Sequence, residues 1–318
     1  MKKTGLLALK IAVSLALLAY LLSTSNLSEL RNRVRHSDTV LMGLAVALYA
    51  MILVISTWRW RLLLKAQGYQ APMGQLSASY LVATFFNNFL PSNIGGDVIR
   101  VKDTSPITGC TTTSLAVVAI DRIIGLGALY LLAAAAFVLG GAALQGLLGA
   151  APALLLLTLV FGLIAYVFFK PGTARRVMAA SGLGRHAWAR ERFEIVQGAV
   201  HIYRERMAAV WGAFGASLAL QALVVCYYFE VARALHIPIP LSACFLVVPL
   251  CSLLQTVPIS FNGWGIRESV FIVYFGQLGL PRESALAFSL VGASLIVLLS
   301  LSGAVVWTTR GAGAPQTV

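Results

Sequence analysis

Asn87-Asn88-Phe89-Leu90-Pro91-Ser92-Asn93-Ile94-Gly95-Gly96-Asp97-Val98-Ile99-Arg100 leaves an apolar run and ends in charge. A second stretch answers it downstream: Pro258-Ile259-Ser260-Phe261-Asn262-Gly263-Trp264-Gly265-Ile266-Arg267-Glu268. Both open with Pro, carry Ser and Asn, continue through two closely spaced glycines and close on Arg beside or near an acid. Proline ends a helix because it lacks the N–H and clashes with the preceding turn. Irregular backbone of this kind is tolerated at membrane depth only inside protein or against a watery cavity. Whether the surrounding chain is membrane-embedded therefore decides what these stretches are.

Composition answers that question. Of 318 residues, 59% are hydrophobic and 11% charged, against about 25% charged in a soluble domain. The mean hydropathy is +0.84. These values predict an all-α, polytopic integral membrane protein. The net charge of +13 reads as cationic loops on the cytoplasmic side. Nucleic acid is not an expected partner, because no basic run is interleaved with a stacking surface. Cys110, Cys226, Cys244 and Cys251 lie in or beside apolar segments without a Cys-x-x-Cys pair, and read as small core hydrophobes. The four histidines are scattered through polar loops. No metal site or cofactor is expected.

In chain order, Met1-Lys2-Lys3 and the apolar run to Leu22 read as a first transmembrane helix rather than a signal peptide. Val40–Thr57 is the second span, and the following Trp58-Arg59-Trp60-Arg61 and Lys65 mark the headgroup layer. Gln75–Leu90 is apolar and leads into the first motif. Thr111–Leu139, Ala150–Phe169, Met207–Phe229, Leu241–Val257 and Ser284–Trp307 are further apolar segments. Ser269–Leu280 is too short for a span of about 17–25 residues. Residues 170–206 hold eight Lys or Arg. Phe193, Val196, Val200, Tyr203 and Met207 recur there at helical spacing. The segment is either an amphipathic helix on anionic lipid or a plain solvated connector.

Parity sets the topology. If Gln75–Leu90 crossed fully, the eight-cation loop would fall outside. If it enters and turns back, the loop and both termini are cytoplasmic, as the positive-inside rule prefers. Leu241–Leu280 must likewise return to its own side. The expectation is about six full spans plus two re-entrant or broken-helix hairpins entering from opposite faces. That arrangement points to an inverted repeat with a midplane site. The whole is one domain over residues 1–310, with a short tail at 311–318. Arg31, Arg33 and Arg35, in the first outer loop, run against this model.

The candidate substrate-binding residues follow from the breaks. Pro91, Gly95, Gly96, Gly263 and Gly265 permit unusual backbone and close ligand approach. Half-helices that begin there offer N–H groups to an anion. Asn88, Ser92, Asn93, Ser260 and Asn262 add neutral donors and acceptors, and Trp264 an aromatic face. Asp97, Arg100, Asp121, Arg122, Arg267 and Glu268 are charges in or near the membrane. Each such charge costs about 2.5–3.5 kcal/mol at a helix centre, so they pair and serve function. The competing reading is internal ion pairs, Asp97–Arg122 or Asp121–Arg100, that only pin helices. Glu230 and Arg233 read as interfacial.

These residues carry a resemblance. Asn87 through Pro91 with Gly95-Gly96-Asp97 and Arg100, then Asp121-Arg122-Ile123-Ile124-Gly125-Leu126, then Pro258 through Glu268, resemble the lysylphosphatidylglycerol synthase transmembrane-region family, flippase-like membrane proteins. The resemblance spans nearly the whole chain. It implies a helical bacterial inner-membrane protein with a lipid-translocating role. Bifunctional members add a soluble aminoacyl-transfer domain. This sequence shows no counterpart of it, so lysyl transfer is not expected here. Short members are linked to hopanoid, glycolipid and polyprenyl-linked sugar pathways.

Three functions compete at this point. The first is a lipid flippase or transporter, with membrane lipids as partners. No Gly-x-x-x-x-Gly-Lys-Ser/Thr loop is present to drive it with ATP. The second is a membrane-embedded transferase in which Asp97 or Asp121 is a general base or metal ligand. The third is an accessory subunit that positions a separate lipid-biosynthesis enzyme through the basic loop.

Overall fold

The computed structural model describes residues 15–16, 19–90, 95–141, 144, 146–147, 149–170, 172–173, 176, 186–256 and 262–310. Its long elements are helices: α1 (Leu27–Arg35), α2 (Thr39–Ala66), α3 (Met73–Phe89), α4 (Gly95–Thr108), α5 (Thr111–Leu139), α6 (Ala150–Phe169), α7 (Ala187–Glu205), α8 (Met207–Ala234), α9 (Leu241–Leu254), α10 (Ile266–Gln277) and α11 (Arg282–Thr309). Five of these, α2, α5, α6, α8 and α11, are long and apolar enough to cross a membrane. The chain is an all-α polytopic membrane protein. The expected first span lies largely outside the described residues.

Local sequence sets the helix ends. Asn26 accepts from the Ser28 and Glu29 amides at 3.1 and 3.2 Å. Asp38 accepts from Val40 and Leu41 at 2.8 and 3.2 Å. Each side chain satisfies N–H groups that a helix start leaves unpaired. Pro72, Pro240 and Pro281 precede α3, α9 and α11. The second span is longer than expected. No Gly or Pro interrupts the chain between Thr57 and Ala66, so α2 continues through Arg59 and Trp60. Helix α1 was not anticipated; its Glu29 pairs with Arg33 at 2.8 Å.

Contacts fix the two ends of the bundle. At one end the Arg310 guanidinium donates to the Gln75 carbonyl at 3.1 Å and meets Asp103 at 3.5 Å. Tyr203 donates to the Leu63 carbonyl at 3.1 Å, and Arg206 to the Ala66 carbonyl at 2.8 Å. So the C-terminal ends of α2, α4, α7 and α11 gather with the start of α3. At the opposite end the Asp38 amide donates to the Ala234 carbonyl at 2.9 Å. The Asn26 amide there reaches Glu283 at 3.4 Å.

The short helices form two hairpins. Helices α3 and α4 rise from the Arg310 end; α9 and α10 descend from the Ala234 end. Their tips meet where the Asn262 amide approaches the Asn88 carbonyl and side chain at 3.5 and 3.4 Å. Helix α2 packs along α8, α11 along α3, and α5 along α9, α4 and α8. One apolar cluster around Tyr227, Phe271, Phe275 and Phe288 lies toward the Ala234 end. A smaller one around Trp60, Leu63, Leu76 and Tyr203 lies toward the other.

Candidate functional site

Charge collects between the two clusters. Asp121 on α5 is buried, and its carboxylate takes two arginines. Arg59 Nε on α2 donates to Oδ1 at 2.7 Å, and Arg100 Nη2 on α4 to Oδ2 at 2.8 Å. Arg59 also donates to Ser217 on α8 at 2.8 Å. Arg100 reaches Asp97 at 3.4 Å, and Arg122 Nε meets the other Asp97 oxygen. The Arg100 guanidinium lies 4.4 Å from the Trp60 ring centre and 5.2 Å from Tyr80, a desolvated cation over aromatic faces. Both ion pairs weighed from the sequence are present, joined into one chain Arg59–Asp121–Arg100–Asp97–Arg122 that ties α2, α4 and α5 together.

The second motif builds a tighter unit. Gly265 has φ +85°, a left-handed conformation open to Gly because it has no Cβ. This turn lets the Gly265 amide donate to Glu268 Oε2 at 2.6 Å. Arg267 gives Nε and Nη2 to Glu268 Oε1 at 3.0 and 2.7 Å, and Nε also to Ser289 of α11 at 2.9 Å. Ser289 completes the ring by donating to the same oxygen at 2.7 Å. The Arg267 guanidinium lies 4.6 Å from the Trp264 ring centre. The contacts of Glu268 steady Arg267.

A cavity of about 350 Å³ opens beside the first cluster. Its wall includes Arg59, Arg100, Arg122, Asp97 and Asp121, with Tyr49, Tyr80, Thr84, Asn87 and Asn88. Three arginines face two aspartates there, an excess of one positive charge. A smaller chamber of about 210 Å³ is lined by Asn88, Ser252, Gln255, Asn262, Arg267, Tyr227 and Tyr228. The chambers share Tyr49, Ile52, Asn88 and Val224, so they adjoin where the hairpin tips meet.

Of the residues singled out by sequence, Asn88, Asp97, Arg100, Asp121 and Arg122 converge on the first chamber, and Asn88, Asn262 and Arg267 on the second. Gly95, Gly96, Gly263, Trp264, Gly265 and Glu268 shape the hairpin tips behind these walls. Pro91, Ser92, Asn93 and Ser260 lie outside the described residues. Two amides expected to await an anion are already engaged: Gly96 donates to the Asn87 side chain at 2.8 Å, and Gly265 to Glu268. Arg59 was missed. It reads as a headgroup-layer cation beside Trp58 and Trp60, yet its side chain is only 7% exposed. The uninterrupted helical sequence beyond Thr57 is the signal that carries it inward. The Glu230–Arg233 pair is made at 3.0 Å.

The family model described as Lysylphosphatidylglycerol synthase TM region matches residues 7–303. No curated protein matches the chain.

Proposed function

The chain belongs to the lysylphosphatidylglycerol synthase TM region family, and from that premise we propose that it moves a phosphate-bearing lipid headgroup from one leaflet of a bacterial inner membrane to the other. The carrying observation is the meeting of two hairpins from opposite ends of the bundle over a charged cavity, at Asn88 and Asn262. In transporters, broken helices meeting at mid-depth mark the substrate site. An excess arginine suits a phosphate, which guanidinium groups bind through paired N–H donors. Acyl chains would remain in lipid while the head traverses the two chambers. Lys65, Arg204, Arg206 and Arg310 lie at one end of the bundle, which we assign to the cytoplasm.

The test is transbilayer movement. Purified protein in liposomes should move acyl-labelled anionic phospholipid without changing it chemically, and Arg267→Lys should slow that movement. A chemically modified lipid would instead support the transferase reading. No movement of any lipid would reject transport.

A further inference from the structure

Building on the lipid-headgroup reading, we propose that the two chambers divide one headgroup: the first holds a phosphodiester, and the second holds an uncharged hydroxylated group such as glycerol or a single sugar. The first chamber carries the excess cation. Arg100 on that wall shares each of its carboxylates with another arginine, Asp121 with Arg59 and Asp97 with Arg122. A phosphodiester would supply the negative charge that balances the third guanidinium.

The second chamber has a different chemistry. Its polar wall is amide and hydroxyl: Asn88, Asn262, Gln255, Ser252, Tyr49 and Tyr228. Amide, hydroxyl and aromatic groups together suit a polyol, whose hydroxyls both donate and accept. The one charge on this wall, Arg267, is matched by Glu268. A volume of about 210 Å³ corresponds to roughly seven waters at about 30 Å³ each, room for one small polar group rather than an oligosaccharide.

The carboxylates argue against a cationic head. Asp121 meets Arg59 and Arg100, Asp97 meets Arg100 and Arg122, and Glu268 meets Arg267. Glu268 is also fully buried behind the wall. An ammonium group would have to break an existing pair to find a counter-ion, and would meet the excess arginine first. Aminoacylated or ethanolamine heads are therefore disfavoured.

Two soluble diesters separate the possibilities with the full-length protein in detergent. Glycerophosphoglycerol should bind at least tenfold more tightly than glycerophosphoethanolamine, read by calorimetry. Ser252→Ala and Asn262→Gly, both confined to the second chamber, should weaken glycerophosphoglycerol severalfold while leaving inorganic phosphate unchanged. The glycine keeps the positive φ of Asn262 accessible. Equal or tighter binding of the ethanolamine diester, no binding of either, or variants that bind as wild type would each overturn the proposal. Proteoliposomes then separate lipid from free diester as the source. Acyl-labelled phosphatidylglycerol should move faster than acyl-labelled phosphatidylethanolamine, and movement without headgroup preference would overturn the proposal. Selective diester binding without any lipid movement would reject the transport reading and leave the two-chamber assignment standing.

Discussion

At the scale of single residues, the charged chain turns on Asp121. It is the acid shared by two buried arginines, whereas the Arg122 side chain at the far end of the chain is 35% exposed. Removing the shared acid leaves two guanidiniums without their counter-charge. Breaking a buried pair this way costs about 3–5 kcal/mol. Asp121→Asn should therefore lower the melting temperature of the purified protein sharply. Arg122→Gln should cost no more than about 1 kcal/mol, since partly exposed pairs contribute little and Asp97 keeps Arg100. Equal destabilisation by the two variants would mean the chain does not hold the helices as its geometry implies. Arg267→Lys tests the second motif. Lysine keeps the charge but cannot give one N–H to Glu268 and another to Ser289 in a fixed plane. The variant should reach the membrane at wild-type yield yet move lipid at least tenfold more slowly. Full activity would reduce Arg267 to a helix pin. These charges were legible as a set because intramembrane charge is costly. Two of the pairs, Asp97–Arg122 and Asp121–Arg100, were weighed from the sequence and are present. The Arg59–Asp121 pair was not, because it depends on which helix faces bring residues far apart in sequence together.

At the scale of elements, the first hairpin depends on backbone contact. A Cβ on Gly96 would stand 2.2 Å from the Ala83 carbonyl oxygen of α3, whereas one on Gly74, at the hairpin's outer end, would meet nothing within 4 Å. Gly96→Ala must push α3 and α4 apart, and overpacking of this kind costs about 1–3 kcal/mol. Gly74→Ala should be neutral or stabilising by up to about 1 kcal/mol. Thermal unfolding of the two variants reads the difference directly, and matching curves would show that the hairpin tolerates separation. The hairpins themselves were readable from Pro, paired Gly and short apolar runs. Their mutual approach was readable only through charge parity between loops. Helix α1 escaped because spans are recognised by long apolar runs, whereas its Leu27, Leu30 and Val34, though at helical spacing, are set singly in a short charged stretch. Helix α7 has one docked side and one exposed side. Tyr203 docks it onto α2, while Trp188, Arg190 and Arg192 remain exposed.

At the scale of the whole molecule, orientation decides which leaflet each chamber serves. Arg310, Arg206 and Lys65 gather at the end where α4 gives way to α5, and Cys110 sits in that turn. Asp38, Glu230 and Glu283 occupy the opposite end. If the cationic end is cytoplasmic, Cys110 is a native probe of sidedness. Hydrogen bonding from the Thr113 backbone amide holds its thiol below the usual cysteine range, which enlarges the thiolate fraction that reacts with a maleimide near neutral pH. Cys244 and Cys251 are buried and add little background. A membrane-impermeant maleimide should label Cys110 in inverted vesicles and not in intact cells. His36→Cys, exposed at the opposite end, should show the reverse pattern in a Cys110→Ser background. Labelling of Cys110 from outside intact cells would invert the molecule. The cationic end would then face away from the cytoplasm, and the α3–α4 hairpin would receive its headgroup from the outer leaflet.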